Sequence, residues 1–492
     1  MKNASYKLRI IDIKSWFFLF LFLSKYQFAS SQEILWAQTG NKDKKTNFTK
    51  VIGQNKHGVY VLKHKNSTFK NYFIIEQFDH KMHLKQSKNI KIGKAKLEKI
   101  IVTENEVVYF TRQFMQGYYL SLAMNSLDSN LMFTDFNSEI ISNVDLPGNF
   151  DEFYIHYSDN KKRFSVCYFQ EVGKYAEINI GEVNDRKIIN QNKVLLKATL
   201  QELKVNKFLF DNLGNFYMNY EINKIRKSIP ISRVFCMNLE KKFHIDTVLN
   251  DQDTYINDIN YTYNSVNQMV HVAGFWGKSD DQENKGYFYL SITPNSFKFN
   301  EVKFHDFDRK LVSSIIGLKF EQKGENLSKF KIKKIINKYN GDIVVIAEKS
   351  FVATQSDVIY INGAPQTSFA KIFTNDEVLL LTINKIGELI WSEVLFKNQS
   401  SINDGGLYNS IVVMTEDDKI NILYNDRLSS NSDVIQVTYN EDGTHSKKIL
   451  INNEQYYALI IPAESNQVTG NSVVIPVNQN KDFTYFKLYY HD

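Results

Sequence analysis

The sequence predicts an all-β fold built from one repeated four-stranded unit, and three observations carry that expectation. After residue 32, short segments rich in Val, Ile, Phe and Tyr alternate with Asn, Asp, Gly, Lys and Ser, the pattern of strands and turns. One kind of apolar segment recurs eight times, mostly at intervals of 45 to 58 residues. The last copy runs to the end of the chain, which leaves its unit one strand short.

Residues 1–31 read as a secretory signal peptide. Lys2, Lys7, Arg9 and Lys14 precede an unbroken apolar run, Trp16 to Leu23, and Ala29-Ser30-Ser31 offers small residues for cleavage before Gln32. Eight apolar residues are too few to span a bilayer, which takes about 20, and no cysteine follows them to carry a lipid. The expectation is an exported protein, periplasmic or extracellular, neither membrane-spanning nor a lipoprotein. Without the leader the chain carries 55 basic and 53 acidic residues, a net charge of +2, so a nucleic-acid footprint has no support. A mean hydropathy of −0.35 excludes a polytopic membrane protein.

The recurring segments begin at Tyr72, Tyr118, Tyr175, Arg233, Tyr287, Glu377, Asp433 and Phe483. Each has an apolar strand before it, and all but the last have a polar turn and a strand after it. Four strands in about fifty residues is the arithmetic of a β-propeller. Residues 32–492 therefore read as a single propeller domain of eight four-stranded blades, with seven as the alternative count. Glu33-Ile34-Leu35-Trp36 echoes Glu388-Leu389-Ile390-Trp391, the fourth strand of the unit around 377–396. The N-terminal strand is thus expected to complete the last blade and close the ring, removing two exposed sheet edges.

Asp211–Gly214, Asn384–Gly387 and Asn440–Gly443 share a turn grammar, Asx first and Gly fourth. The Asx side chain caps its own turn, and Gly accepts the left-handed conformation of a hairpin bulge. The one long interval, 90 residues from Tyr287 to Glu377, is expected to hold a short helix within 307–320 and a long loop over 349–375. Phe307, Leu311, Ile315 and Leu318 have helical spacing there, and Asp306 or Asp308 is placed to cap it. Lys329-Phe330-Lys331-Ile332-Lys333-Lys334 alternates like a half-buried strand, which reads as a solvated face rather than an anion-binding patch.

Long polar loops at 221–231, 276–285, 349–375, 397–407 and 425–432 are expected on one rim, where such scaffolds keep their sites. The candidate binding residues are Lys397, Asn398, Gln399, Asn403, Asp404 and Arg427 for hydrogen bonding, with Trp276 as an apolar platform. The stretch Asp376 to Gly406, DEVLLLTINKIGELIWSEVLFKNQSSINDGG, resembles a segment of uncharacterised exported propeller-like proteins of Bacteroidota. The resemblance implies the fold and the export, and no activity.

His80 and His83 lack further ligands nearby and read as surface residues, while Cys167 and Cys236 read as buried free thiols. No catalytic motif, metal or cofactor is expected. The functional expectation is a non-catalytic monomer presenting a loop rim to an envelope protein or glycan. The alternative is a propeller hydrolase or lyase of polysaccharide using rim acids drawn from Asp404, Asp426, Glu348 and Asp281.

Overall fold

In the computed structural model, residues 32–38, 48–64, 70–114, 119–145, 152–223, 229–251, 253–278, 283–317, 319, 322, 327–361, 364–429, 432–456, 458–479 and 482–491 are described. The signal-peptide reading of 1–31 therefore lies outside the described residues, as do Leu318 and parts of the loops at 221–231, 276–285 and 425–432. Regular structure in the rest is nearly all antiparallel β-strand. Among the described residues the strands group into eight four-stranded meanders, spanning 48–93, 96–145, 154–195, 203–248, 255–306, 330–395, 412–451 and 458–490. The first two share the 19-residue strand Leu84–Val102. It pairs with Lys70–Phe78 through Leu84–Lys96 and with Val107–Phe114 through Lys96–Val102.

Each recurring apolar segment forms the third strand of its meander. Both faces of these strands are covered, so the side chains are apolar at successive rather than alternate positions: Gly286–Thr293 is buried from Gly286 to Ile292. The fourth strands have one open face, and His445–Ile451 is accordingly exposed along most of its length. The last meander takes its fourth strand from the other end of the chain. Gln32–Trp36 pairs antiparallel with the final strand, Gln32 opposite Tyr490 and Trp36 opposite Phe486.

Among the described residues the core consists of eight apolar clusters lying between sheets rather than within one. Seven fill the spaces between consecutive meanders, for example Cys167, Phe169 and Phe210 between the third and fourth. The eighth joins the last meander to the first, with Val474 and Tyr485 packed on Val51, Val61 and Phe78. Such interior packing supplies most of the apolar burial available to a chain of this kind. Cys167 and Cys236 are free and buried in different clusters, and burial pushes both thiols well above their usual range.

The hairpin turns follow their grammar. At Asn384–Gly387 the Asn384 Oδ1 accepts from Ile386 N at 3.0 Å, the Gly387 N–H donates to Asn384 O at 2.9 Å, and Gly387 has φ 91°. The expected helix forms over Arg309–Ile316, with Asp308 as N-cap and Leu311 and Val312 buried. The expected loop at 349–375 does not form. Ile343–Ile361 and Ala364–Ile383 instead pair continuously from Ile343 opposite Ile383 to Ile361 opposite Ala364, with a bulge near Lys349. The inner halves belong to the sixth sheet. The outer halves, 350–361 and 364–375, leave it as a two-stranded arm, reaching about 40 Å at ~3.3 Å per residue.

Candidate functional site

The polar segment 397–407 lies at the base of this arm. Gln399–Ile402 forms a short third strand against Ile372–Asn375, and burial along it alternates. Leu395, Lys397 and Gln399 point inward while Phe396, Asn398 and Ser400 point outward. Lys397 is therefore not a rim cation. Its Nζ lies 2.8 Å from Glu348 Oε1 and donates to Asn375 O at 2.8 Å and Gln399 Oε1 at 2.9 Å. Glu348 is fully buried and is also met by Lys333 Nζ at 2.9 Å, Asn375 Nδ2 at 2.7 Å and Ser410 Oγ at 2.6 Å. Burial pushes the Glu348 carboxyl up, but Lys397 and Lys333 outweigh it and hold the group below the usual carboxylate range. Gln399 extends this network by donating to Asn425 O of the next sheet at 2.7 Å. The arm is thus anchored by a satisfied polar network spanning two sheets, which is the condition under which buried charge is tolerated.

Asn398, Asn403 and Asp404 remain exposed. Asn403 has φ 57°, and its Oδ1 accepts from Lys371 N at 2.8 Å. Asp404 Oδ1 accepts from Ser401 Oγ at 2.6 Å and Gly406 N at 2.8 Å. Both side chains cap local backbone, so changing Asn403 and Asp404 together to Ala is expected to cost about 1–2 kcal/mol in a thermal or urea melt. A melt indistinguishable from wild type would show that these caps contribute nothing to the fold. Arg427 is 82% exposed at the side chain, with Asp426 3.9 Å away.

Trp276 is no surface platform. It is 9% exposed, packs between the fourth and fifth sheets and donates to His305 O at 3.1 Å. It sits in the strand Met269–Gly277, which is buried on both faces from Val270 onward. Of the four rim acids named above, Glu348 is locked in its ion pair and Asp281 lies outside the described residues, while Asp404 and Asp426 are solvent-facing. His83 pairs with Asp79 at 2.9 Å on the surface, and no cluster of three metal-ligating residues occurs among the described residues.

The arm itself is exposed on both faces. Val352, Val358, Phe369 and Ile402 are 58%, 60%, 67% and 64% exposed, and between Ser350 and Ala370 the only charged residue is Asp357. The Asn362-Gly363 dipeptide, a strong hairpin-turn signal, is the feature that distinguishes this ribbon from a loop in the sequence.

A second feature was not legible from the sequence. Two cavities, of about 490 Å³ and 310 Å³, share Tyr157 and are lined from the first strands of the sheets or the turns beside them. The larger takes Tyr157 from the third sheet, Phe210 from the fourth, Tyr261 from the fifth, Lys334 from the sixth and Thr415 from the seventh. The smaller takes Lys50 from the first, Lys99 from the second and Asn466 from the eighth. Lys334, read as part of a solvated face, thus lines an interior space.

No protein-family profile matches the chain, and no curated protein matches it. Among solved structures it is similar to the polysaccharide lyase Uly1, at 9% identity and TM-score 0.38 over 80% of this chain and 89% of that one. It is also similar to a eukaryotic initiation factor, at 8% identity and TM-score 0.42 over 92% of each. Prolyl oligopeptidase B from Galerina marginata matches at 9% identity and TM-score 0.41, over 88% of this chain and 56% of that one. Likenesses this weak carry no argument about what the chain binds or catalyses.

Proposed function

We propose that the chain is an exported, non-catalytic, monomeric eight-bladed β-propeller that docks a protein of the bacterial envelope through the arm at 350–375 and the strand Gln399–Ile402 beside it. Ring closure is supported by the pairing of Gln32–Trp36 with the last strand and by the cluster joining the last sheet to the first. Two cavities that share Tyr157, lined mainly by first-strand residues of successive sheets, agree with it.

The observation that carries the docking role is the arm's composition: exposed Val352, Val358, Phe369 and Ile402 on a ribbon with almost no charge. Exposed apolar ribbon of this kind fits a protein better than a glycan, because burying it returns free energy at about 25 cal/mol per Å².

The test replaces residues 351–374 by a two-residue Asn-Gly turn and compares capture from envelope extract with that of the intact chain. The shortened chain should lose its partner while its melting temperature stays within a few degrees, because the anchoring network at Glu348 and Lys397 lies outside the deletion. Phe369→Ser with Val358→Ser should weaken capture in the same direction. Equal capture by all three proteins would move the docking surface elsewhere.

A further inference from the structure

We infer that the larger cavity, of about 490 Å³, is a binding pocket for a short neutral saccharide. Two residues of its wall carry a buried polar atom with no hydrogen-bond partner among the described residues. They are Tyr261, through its hydroxyl, and Asn337, through Oδ1. Tyr261 as a whole is only 7% exposed. Asn337 commits its Nδ2 to Thr262 Oγ1 at 2.8 Å and Tyr263 O at 2.9 Å, so its oxygen is left as an acceptor.

A buried hydroxyl or amide oxygen without a partner is unfavourable. The pair therefore suits a ligand whose groups both donate and accept, as the hydroxyls of a sugar do. Tyr157 and Tyr339, 38% and 78% exposed, add aromatic rings to the same wall. The C–H faces of a pyranose pack on such rings, which water wets poorly. Charge at the wall is sparse. Lys338 donates to Glu441 O at 3.4 Å and Asp159 is exposed, so tyrosines, amides and hydroxyls outnumber the remaining cation, Lys334. That balance favours a neutral polyhydroxyl ligand over an ion, and the volume admits a mono- or disaccharide.

The pocket and the arm occupy opposite ends of the sixth sheet. The pocket takes 334–339, where Phe330–Asn337 turns towards Ile343–Ile361, whereas the arm departs beyond Lys349, the residue opposite Phe330.

The experiment is calorimetric titration of the full chain with glucose, N-acetylglucosamine and cellobiose, with glycerol as the control polyol. The pocket predicts saturable binding of at least one saccharide and none of glycerol. Tyr261→Phe removes only the unpaired hydroxyl. It should weaken that binding roughly three- to tenfold and melt no lower than wild type. Tyr339→Ala should weaken binding too, while Tyr175→Ala, at the far end of the third sheet from Tyr157, should not. A chain with residues 351–374 replaced by the Asn-Gly turn should bind saccharide as wild type does, so failure of the docking role leaves this result standing. No saccharide binding by wild type, or equal affinity in Tyr261→Phe, would overturn the pocket. A lower melting temperature in Tyr261→Phe without any saccharide response would also overturn it, and would mean that water alone satisfies the hydroxyl.

Discussion

A chain beginning at Asn41 should be destabilised by about 3–5 kcal/mol or should aggregate, the scale of losing a large aromatic from a core. Deleting Gln32–Trp36 removes five backbone pairings with the final strand. Ile34 and Trp36 pack into the cluster between the seventh and eighth sheets, with Trp36 5.3 Å from Phe486. Leu35 and Ala37 pack on the other face, in the cluster shared with the first sheet. Gln38 continues into that sheet, its N–H donating to Met82 O at 2.9 Å. One short strand thus closes two interfaces, and its loss bares an edge competent to pair with another chain. The check is a thermal melt with light scattering on the truncated protein. Unchanged melting would contradict closure.

Lys397→Met should cost about 3–5 kcal/mol, because it leaves the fully buried Glu348 with only the partly exposed Lys333 as counter-charge. Adding Glu348→Gln to it should recover part of the loss, since the stranded charge goes too. The pH dependence has a definite sign. Glu348 titrates below its ordinary 4.5 in the fold, so the folded state binds fewer protons than the unfolded one. Its contribution is full above about pH 4.5 and is lost as pH falls through the folded value. Urea melts from pH 7 downward should therefore show wild type losing stability more steeply below about pH 4.5 than Glu348→Gln. Parallel slopes would mean that this carboxylate gains nothing from its lysines.

These two results mark what the sequence reveals and what it conceals. The third strands were legible because burial on both faces demands consecutive apolar residues, as in YFYLSIT at Tyr287. The place of the N-terminal strand in the last sheet was legible through one echo, since Trp36 and Trp391 occupy fourth strands of two different sheets. The arm was read as a loop because its length broke the fifty-residue period, although Asn362-Gly363 is a hairpin-turn signal.

The candidate site was less legible. Lys397 and Gln399 were taken as ligand groups on composition, yet polar composition is the same whether side chains face a ligand or each other. The alternation of burial from Leu395 to Gln399, seen only in the structure, separates the two cases. The two cavities that share Tyr157 have no local signal at all. Their lining residues come from separate sheets and meet only when the sheets assemble.

Ring closure is the claim on which the scaffold, the interior space and the placement of the arm all rest. Its most direct measurement is a cross-link between Glu33→Cys and Tyr489→Cys, which face each other in register near the surface. Under mild oxidation the closed ring predicts an intramolecular disulfide, seen as a mass two units lower and the loss of both introduced thiols, together with a raised melting temperature. Two freely titratable introduced thiols in a folded monomer would contradict it.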